Sequence, residues 1–115
     1  MSEKTADIIF FYAEWCTHCN KAILQWNKFI SNFDKKIVEG YMVNCIVENC
    51  TDPMDPHTIN TVEKYKIDFY PTIKLIKNDN DIEKGVSIID YVSNSKITED
   101  TLTIFLNGFL KEESP

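Results

Sequence analysis

Hydrophobic and polar positions divide the chain into alternating strand-like and helix-like segments. Residues 7–12 form a short apolar run rich in isoleucine and aromatic residues. A run of this length is too short for a helix, so it predicts a buried central strand. Residues 16–33 then place apolar side chains at every third or fourth position, which predicts an amphipathic helix. The apolar positions of that helix are Ala22, Ile23, Trp26, Phe29, Ile30 and Phe33.

The middle of the chain predicts a second strand and a second helix. Residues 37–46 are typical of a strand with Gly40 as a bulge. Because a helix intervenes, this strand is expected to run parallel to the first through a right-handed crossover. Asp55 and Pro56 are a typical N-cap and first helical residue, and they predict a helix to about residue 66. Its expected inward positions are Ile59, Val62 and Tyr65.

The last third of the chain predicts a hairpin and a C-terminal helix. Two strands are expected over residues 73–77 and 86–91, with the Asn/Asp cluster at 78–81 as the turn between them. A polar break at 93–95 precedes a helix over 98–112, whose apolar face comprises Leu102, Phe105, Leu106, Phe109 and Leu110. The order β-α-β-α-β-β-α predicts an α/β fold, with a mixed four-stranded sheet and helices on both faces.

A pair of cysteines stands at the junction between the first strand and the first helix, in the stretch Trp15-Cys16-Thr17-His18-Cys19. At this spacing the first cysteine lies at the helix N-terminus and the second lies one turn inside. Unpaired N–H groups and the positive end of the helix dipole then stabilise Cys16 as a thiolate, which is the nucleophile of disulfide exchange. Cys19 is close enough to attack a mixed disulfide on Cys16 and release the product.

Composition narrows the class of protein. The 115 residues predict one domain over residues 1–115, large enough to bury a core without metal or disulfide staples. A net charge of −6 without a dense basic cluster argues against nucleic acid or an anionic membrane as a partner. No apolar run approaches the roughly 20 residues of a membrane span, and no signal peptide or retention signal is visible. We therefore expect an intracellular, cytoplasmic protein, in which four cysteines favour redox or metal chemistry over structural disulfides.

Two segments resemble a known family when combined with the predicted order of elements. Residues 11–19 have the sequence Phe-Tyr-Ala-Glu-Trp-Cys-Thr-His-Cys, and a Tyr-Pro-Thr segment at 70–72 opens a strand some fifty residues later. Together they resemble the thioredoxin superfamily, and within it the catalytic domains of protein disulfide isomerases. The resemblance covers residues 7–111 and implies a thioredoxin-like fold.

The resemblance assigns roles to individual residues. It implies that Cys16 is the nucleophile and that Cys19 is the resolving thiol. It also implies that Pro71 is cis and lies against the cysteine pair. The backbone of Tyr70 would bind an extended substrate peptide as one more strand. The position of Trp15 beside the nucleophile favours a wall that faces the substrate.

The two residues between the cysteines modulate this expectation. His18 stands where disulfide isomerases also carry a histidine, and in its protonated form it would stabilise the Cys16 thiolate. The disulfide would then be more oxidising than that of thioredoxin at roughly −270 mV, towards roughly −180 mV for the isomerase. Thr17 replaces the small glycine that those enzymes usually have.

The chain departs from the family where a buried carboxylate is usual. Six residues before the first cysteine it has Phe10, and the lysine that often accompanies the carboxylate is assigned to Met42. Losing both charges together leaves neither buried alone. Water or Glu14 would then have to deprotonate Cys19.

The remaining cysteines leave two alternatives open. C-x-x-C is also half of a zinc site, to which Cys45 and Cys50 would add two ligands, with His18 or His57 in reserve. Zinc knuckles normally lie in glycine-containing turns rather than between a buried strand and a long helix. Alternatively, Cys45 and Cys50 form a second redox pair at the same edge of the sheet, or Cys45 is a small core residue.

The function that the sequence predicts is that of a protein disulfide oxidoreductase. The Cys16–Cys19 couple would act on disulfide-containing proteins or peptides, in the reductase, oxidase or isomerase direction. No prosthetic group is expected, and electrons would come from a thioredoxin reductase or the glutathione pool. The alternative from another class is a redox-inactive binding module that docks extended peptides without turnover.

Overall fold

Five strands in one mixed sheet and three helices make up residues 4–79, 85–91 and 96–111, the ranges that the computed structural model describes. The elements are β1 (Lys4–Tyr12), α1 (Thr17–Phe33), β2 (Ile37–Val38), β3 (Tyr41–Asn49), α2 (Pro56–Tyr65), β4 (Thr72–Asn78), β5 (Val86–Asp90) and α3 (Glu99–Leu110). The sheet order is β2-β3-β1-β4-β5. β1 pairs parallel with β3 and antiparallel with β4, as predicted. The predicted features at 80–81, 93–95 and 112 lie outside the described residues.

The predicted second strand is two strands. Glu39 and Gly40 have φ angles of 51° and 84°, and between them the chain reverses from β2 into β3. The two strands pair antiparallel, with Ile37 opposite Met42. Two successive residues in the left-handed region match the twist of a tight hairpin, so the predicted bulge at Gly40 is a turn. The predicted count of four strands is therefore wrong by one.

Alternate side chains of β1 separate two hydrophobic cores. On one face Ile8 and Phe10 pack with residues of α1 and α3, among them Trp26. On the other face Ile9 and Phe11 form a smaller cluster against α2. Successive residues of a strand point to opposite faces, so a single strand can serve both cores. Helices therefore cover both faces of the sheet, as predicted.

The second helix begins where the sequence predicts but turns a different face inward. A carboxylate oxygen of Asp55 accepts the backbone N–H of Thr58 at 3.1 Å, which caps the helix. Ile59, however, is 46% exposed, and the buried positions are Thr58 and Thr61. The other two expected inward residues do pack against the smaller core. The apolar stripe of α2 is thus narrower than its sequence indicates.

The third helix begins with a capping box. Thr98 Oγ1 accepts the backbone N–H of Thr101 at 3.0 Å, and Thr101 Oγ1 accepts the backbone N–H of Thr98 at 2.9 Å. Four of its five predicted apolar residues are buried, whereas Phe109 is 46% exposed and lies edge-on to Phe105. None of the helices in the described ranges has the length and apolar character to cross a membrane.

Candidate active site

The cysteine pair lies between the end of β1 and the first turn of α1. Cys16 is the N-cap residue of α1, and its backbone N–H donates to the Ala13 carbonyl at 3.1 Å. The backbone N–H of Cys19 donates to Cys16 Sγ at 3.2 Å. Cys16 is 9% exposed and Cys19 is 1% exposed. The first sulfur thus lies at the mouth of the helix and the second lies one turn inside, in the positions that the spacing predicts.

The Cys19 thiol keeps its proton at neutral pH. Its pKa is raised to about 12, mainly by burial and next by the hydrogen bond with Cys16. A hydrogen bond with the backbone of Ala13 acts in the opposite direction. The two sulfurs therefore have different environments, because Cys16 Sγ accepts a backbone N–H while Cys19 stays a neutral thiol.

The segment before β4 closes one side of the pair. The Tyr70–Pro71 peptide bond is cis, which confirms the expected geometry of Pro71. The Cys16 thiol is 3.6 Å from the carbonyl oxygen of Tyr70, within reach for a sulfur donor. Tyr70 also packs against the small buried cluster of Ala13, Cys16 and Cys19. The segment before β4 therefore presents a backbone carbonyl to the sulfur of Cys16.

Trp15, which directly precedes Cys16, is an exposed aromatic residue at this site. Its side chain is 63% exposed, yet its Nε1–H donates to the carbonyl oxygen of Thr51 at 3.0 Å. Its ring meets Tyr70 edge-on, with 5.8 Å between centroids. Thr51 Oγ1 in turn accepts the backbone N–H of Glu14 at 2.9 Å. Nothing in the sequence singles out Thr51, because its role depends on the pairing of two distant segments.

The two residues between the cysteines face solvent. Thr17 and His18 are both exposed on the first turn of α1. His18 lines an open groove of about 990 Å³ that also includes Tyr70 and Pro71. The residues between the cysteines are therefore available to a ligand that approaches Cys16.

Cys45 and Cys50 lie on opposite faces of the sheet. Cys45 packs against the larger core from within β3, and its backbone N–H donates to Asp34 Oδ1 at 2.9 Å. Cys50 is 2% exposed and belongs to the smaller core. Four extended residues separate Cys45 from the end of β3, or about 13 Å, whereas a disulfide needs Cα atoms within about 7 Å. The predicted second redox pair is therefore not assembled.

The separation of Cys45 from Cys50 also argues against a zinc site formed by the four cysteines. Within residues 4–79, 85–91 and 96–111, no three His, Cys, Asp or Glu side chains converge in a group that could hold a metal ion. Of the two histidines held in reserve, His57 lies at the start of α2 with Nε2 2.8 Å from a carboxylate oxygen of Glu48. The four cysteines are thus not brought together as a ligand set.

Cys50 nevertheless lies behind the redox pair. Its backbone N–H donates to the carbonyl oxygen of Tyr12 at 2.7 Å, and its side chain hydrogen-bonds that of Tyr70. Burial raises the pKa of the Cys50 thiol, and burial followed by the Cys50 contact raises the pKa of Tyr70 to about 12. A charge on Cys50 also opposes ionisation of Cys19. This link between Cys50 and Tyr70 is one that the sequence does not reveal.

Phe10 occupies the position at which the family resemblance implies a buried carboxylate. Its ring is fully buried and stacks on Trp26 with 5.3 Å between centroids. The assignment of Met42 as its neighbour is wrong, because Phe10 pairs with Val47 on β3 and Met42 pairs with a residue near the start of β1. Among the described residues, the charged groups that shift the pKa of Cys19 are thiols, and Glu14 does not contribute.

Comparison with known proteins assigns the family. The model of a protein family described as Thioredoxin matches residues 1–91. The chain belongs to the thioredoxin family. The Cys16–Cys19 spacing at a helix N-terminus and the cis Pro71 beside it are consistent with that membership.

Curated relatives of this thioredoxin-family chain are named as disulfide isomerases. It is 31% identical over 72 residues to "Protein disulfide-isomerase 2-3" of Arabidopsis thaliana, which is 63% of this chain and 14% of the relative. It is 30% identical over 74 residues to "Protein disulfide isomerase-like 2-3" of Oryza sativa subsp. japonica, or 64% of this chain and 14% of the relative. The chain therefore corresponds to a small part of each of these proteins.

Solved structures support the fold. The Trx4 domain of ERdj5 superposes with a TM-score of 0.69 at 21% identity, covering 92% of this chain and 80% of that one. The first thioredoxin domain of mouse protein disulfide-isomerase A4 gives 0.64 at 22% identity, covering 96% and 67%. At these identities the likeness concerns the fold alone, and the chain is similar to a disulfide isomerase-like thioredoxin domain.

Proposed function

We propose that this thioredoxin-family chain is a thiol–disulfide oxidoreductase that acts on disulfide-containing proteins or peptides through Cys16 and Cys19. The observation that carries the proposal is the N–H donated by Cys19 to Cys16 Sγ at 3.2 Å, with the Tyr70 carbonyl oxygen 3.6 Å from the same sulfur. A helix N-terminus favours a negative charge on Cys16, and a charge-assisted hydrogen bond adds to that preference. The names of the curated relatives agree with this chemistry.

The first step is nucleophilic attack. The Cys16 thiolate attacks one sulfur of the substrate disulfide, a new S–S bond forms between Cys16 and the substrate, and the other substrate sulfur leaves as a thiolate. That thiolate takes up a proton from water. Cys16 is 9% exposed, against 1% for Cys19, so a substrate disulfide is expected to reach Cys16 first.

The second step releases the substrate. Cys19 loses its proton and attacks Cys16 Sγ, which forms the Cys16–Cys19 disulfide and expels the second substrate sulfur. Two electrons pass from the chain to the substrate. In the reverse direction the same pair oxidises a dithiol. After the forward reaction, a thiol pool or a dedicated reductase supplies two electrons that reduce the Cys16–Cys19 disulfide back to the dithiol, and no prosthetic group takes part.

Three neighbouring residues position the peptide in this scheme. An extended substrate would lie as an additional strand along the segment that contains Tyr70 and Pro71. Trp15, tethered to the loop that follows β3, supplies an apolar wall at the point of attack. Such positioning brings the reacting sulfurs into line and reduces the entropy lost in the transition state.

The test is reduction of insulin by dithiothreitol, followed as turbidity. The wild-type chain should accelerate precipitation, and Cys16→Ser should return the rate to that of dithiothreitol alone. Cys45→Ser is the matched control, because it removes a thiol outside the site and should leave the rate near that of the wild type. Unchanged activity in Cys16→Ser would falsify the proposal.

A binding module without turnover is the second candidate. It is favoured by the pKa of Cys19, raised to about 12 without a neighbouring carboxylate in the described part of the chain. Slow resolution of this kind would hold a client as a mixed disulfide. The two candidates differ in the wild-type chain: a disulfide peptide should remain on Cys16 as a stable mixed disulfide if docking is the function, and it should be released as turnover proceeds if the chain is an oxidoreductase.

A further inference from the structure

The groove of about 990 Å³ adjoins the cysteine pair, although neither cysteine is part of its lining. Its lining includes His18, one residue before Cys19, and Tyr70, whose carbonyl oxygen lies 3.6 Å from Cys16 Sγ, followed by Pro71. It extends to Tyr91 and to Thr98 at the start of α3. Trp15 is not part of its lining. A substrate whose sulfur reaches Cys16 therefore places one of its two flanking segments in this groove.

The charge of the groove is opposite to that of the chain as a whole. The chain carries twelve basic residues, all lysine, and its net charge is −6. Apart from the histidine and the tyrosines, the ionisable residues that line the groove are Lys21, Lys66, Lys74, Lys96, Asp68 and Asp90. The ammonium group of Lys74 pairs with Asp90 at 2.7 Å. Apart from this pair, three lysines and a single carboxylate, that of Asp68, line the groove.

These three lysines are available to a ligand. Lys21, Lys66 and Lys96 are exposed, and no ion pair engages them within the described ranges. They come from the first helix, the end of the second helix and the segment before the third. Because three separate elements contribute them, the tertiary structure alone concentrates the positive charge on one side of the redox pair.

We propose that this groove binds acidic side chains next to the reactive cysteine of the substrate, so that the chain prefers disulfides flanked on one side by aspartate or glutamate. The inference rests on the proposed function, because the substrate sulfur is placed at Cys16. Electrostatic complementarity of this kind raises the rate of encounter and fixes the orientation of the partner. Phe69, 51% exposed, adds an apolar contact in the same groove.

The test compares peptides that differ only in the charge of one flank. Each peptide carries one cysteine as a mixed disulfide with thionitrobenzoate, and the reduced chain releases the coloured thiolate. Three glutamates on one side of the cysteine should give a second-order rate constant about tenfold above that of the glutamine peptide at low salt. Screening should remove most of this preference near 1 M salt.

Charge reversal locates the effect. The variant Lys21→Glu/Lys66→Glu/Lys96→Glu should lose or invert the preference for the glutamate peptide. The control Lys28→Glu/Lys36→Glu/Lys111→Glu makes the same change in net charge at exposed positions outside the groove and should retain the preference. If charge reversal impairs folding, the milder change of the same three groove lysines to glutamine replaces it. That variant should abolish the preference for the glutamate peptide.

Two results would overturn the inference. Equal rates with the glutamate and glutamine peptides, or an equal loss of preference in the control variant, would show that the groove does not select charge. Failure of the reduced chain to react with any of the peptides would instead overturn the proposed function, and the groove proposal with it. The ratio of the two rates is independent of the intrinsic reactivity of Cys16, so it reports on the groove itself.

Discussion

Cys19 donates its backbone N–H to the sulfur of Cys16 across 3.2 Å, while Cys19 itself is only 1% exposed. One residue thus contacts Cys16 through its backbone and keeps its own thiol protonated at neutral pH, because its pKa is raised to about 12. In the proposed mechanism Cys16 is the attacking sulfur and Cys19 is the resolving one. The predictions below follow from this division of roles and from the packing around it.

The two cysteines should trap substrate differently. Cys19→Ser keeps the backbone N–H at position 19 but removes the resolving thiol, so a disulfide peptide should accumulate on Cys16 close to stoichiometrically. Cys16→Ser should form no such adduct, because burial raises the pKa of each of the three remaining thiols, Cys19, Cys45 and Cys50. Intact-mass spectrometry under non-reducing conditions measures the adduct. Equal trapping by both variants would contradict the assigned order of attack.

Resolution of the mixed disulfide should accelerate with pH. The attacking species is the Cys19 thiolate, and burial and contacts with Cys16 raise the pKa of this thiol to about 12 in the reduced pair. The contribution of Cys16 disappears once its sulfur is in the mixed disulfide, but burial remains. Below the pKa the thiolate fraction rises about tenfold per pH unit, so the single-turnover rate should rise steeply between pH 7 and 9. A flat profile would reveal a proton acceptor beside Cys19.

Trp26 should tolerate replacement by phenylalanine better than by alanine. Its ring is fully buried between Phe10 and Phe29, but its Nε1–H has no hydrogen-bond partner among the described residues. Trp26→Phe removes that unsatisfied donor and keeps an aromatic ring, so we expect a loss of less than about 2 kcal/mol in the free energy of unfolding. Trp26→Ala should cost about 3–5 kcal/mol. Urea denaturation separates the two, and equal losses would contradict the argument.

Stability should fall at alkaline pH under reducing conditions. The pKa of Cys45 is raised from 9.0 to about 12, first by burial and then by the charge of Asp34. Between these values the unfolded chain has lost a proton that the folded chain still holds, so ionisation favours unfolding. The free energy of unfolding should therefore be steady with respect to this group below pH 9 and decline from pH 9 towards 12. Cys45→Ala should make that decline shallower, relative to its own value at pH 7; an unchanged slope would contradict the assignment.

Local patterns in the sequence predicted most of the secondary structure. The apolar spacing of α1, the Asp55 cap of α2 and the strand at 7–12 all appear in the structure. These features depend on residues within a few positions of one another, which the sequence displays directly. The hairpin at Glu39 and Gly40 was missed because a non-glycine residue occupies the first left-handed position, without the Asn-Gly or Gly-Gly signal of such turns.

Contacts between residues far apart in the sequence were harder to predict. The structure puts Cys45 and Cys50 on opposite faces, pairs Phe10 with Val47 and ties Trp15 to the loop after β3. Each of these depends on strand register and on where a strand ends, and a shift of one residue would turn every side chain to the other face. The sequence contains the residues but not their register.

By itself, the sequence determined the order of most elements and the placement of the Cys16–Cys19 pair, because a C-x-x-C spacing at a strand-to-helix junction positions both cysteines through local geometry. Only the tertiary structure decided what surrounds them: the Tyr70 carbonyl near Cys16, Cys50 near Cys19, and a lysine-lined groove on one side. Those neighbours come from segments far apart in the chain. They meet only when the sheet and helices pack, since the burial of apolar side chains fixes which surfaces face each other.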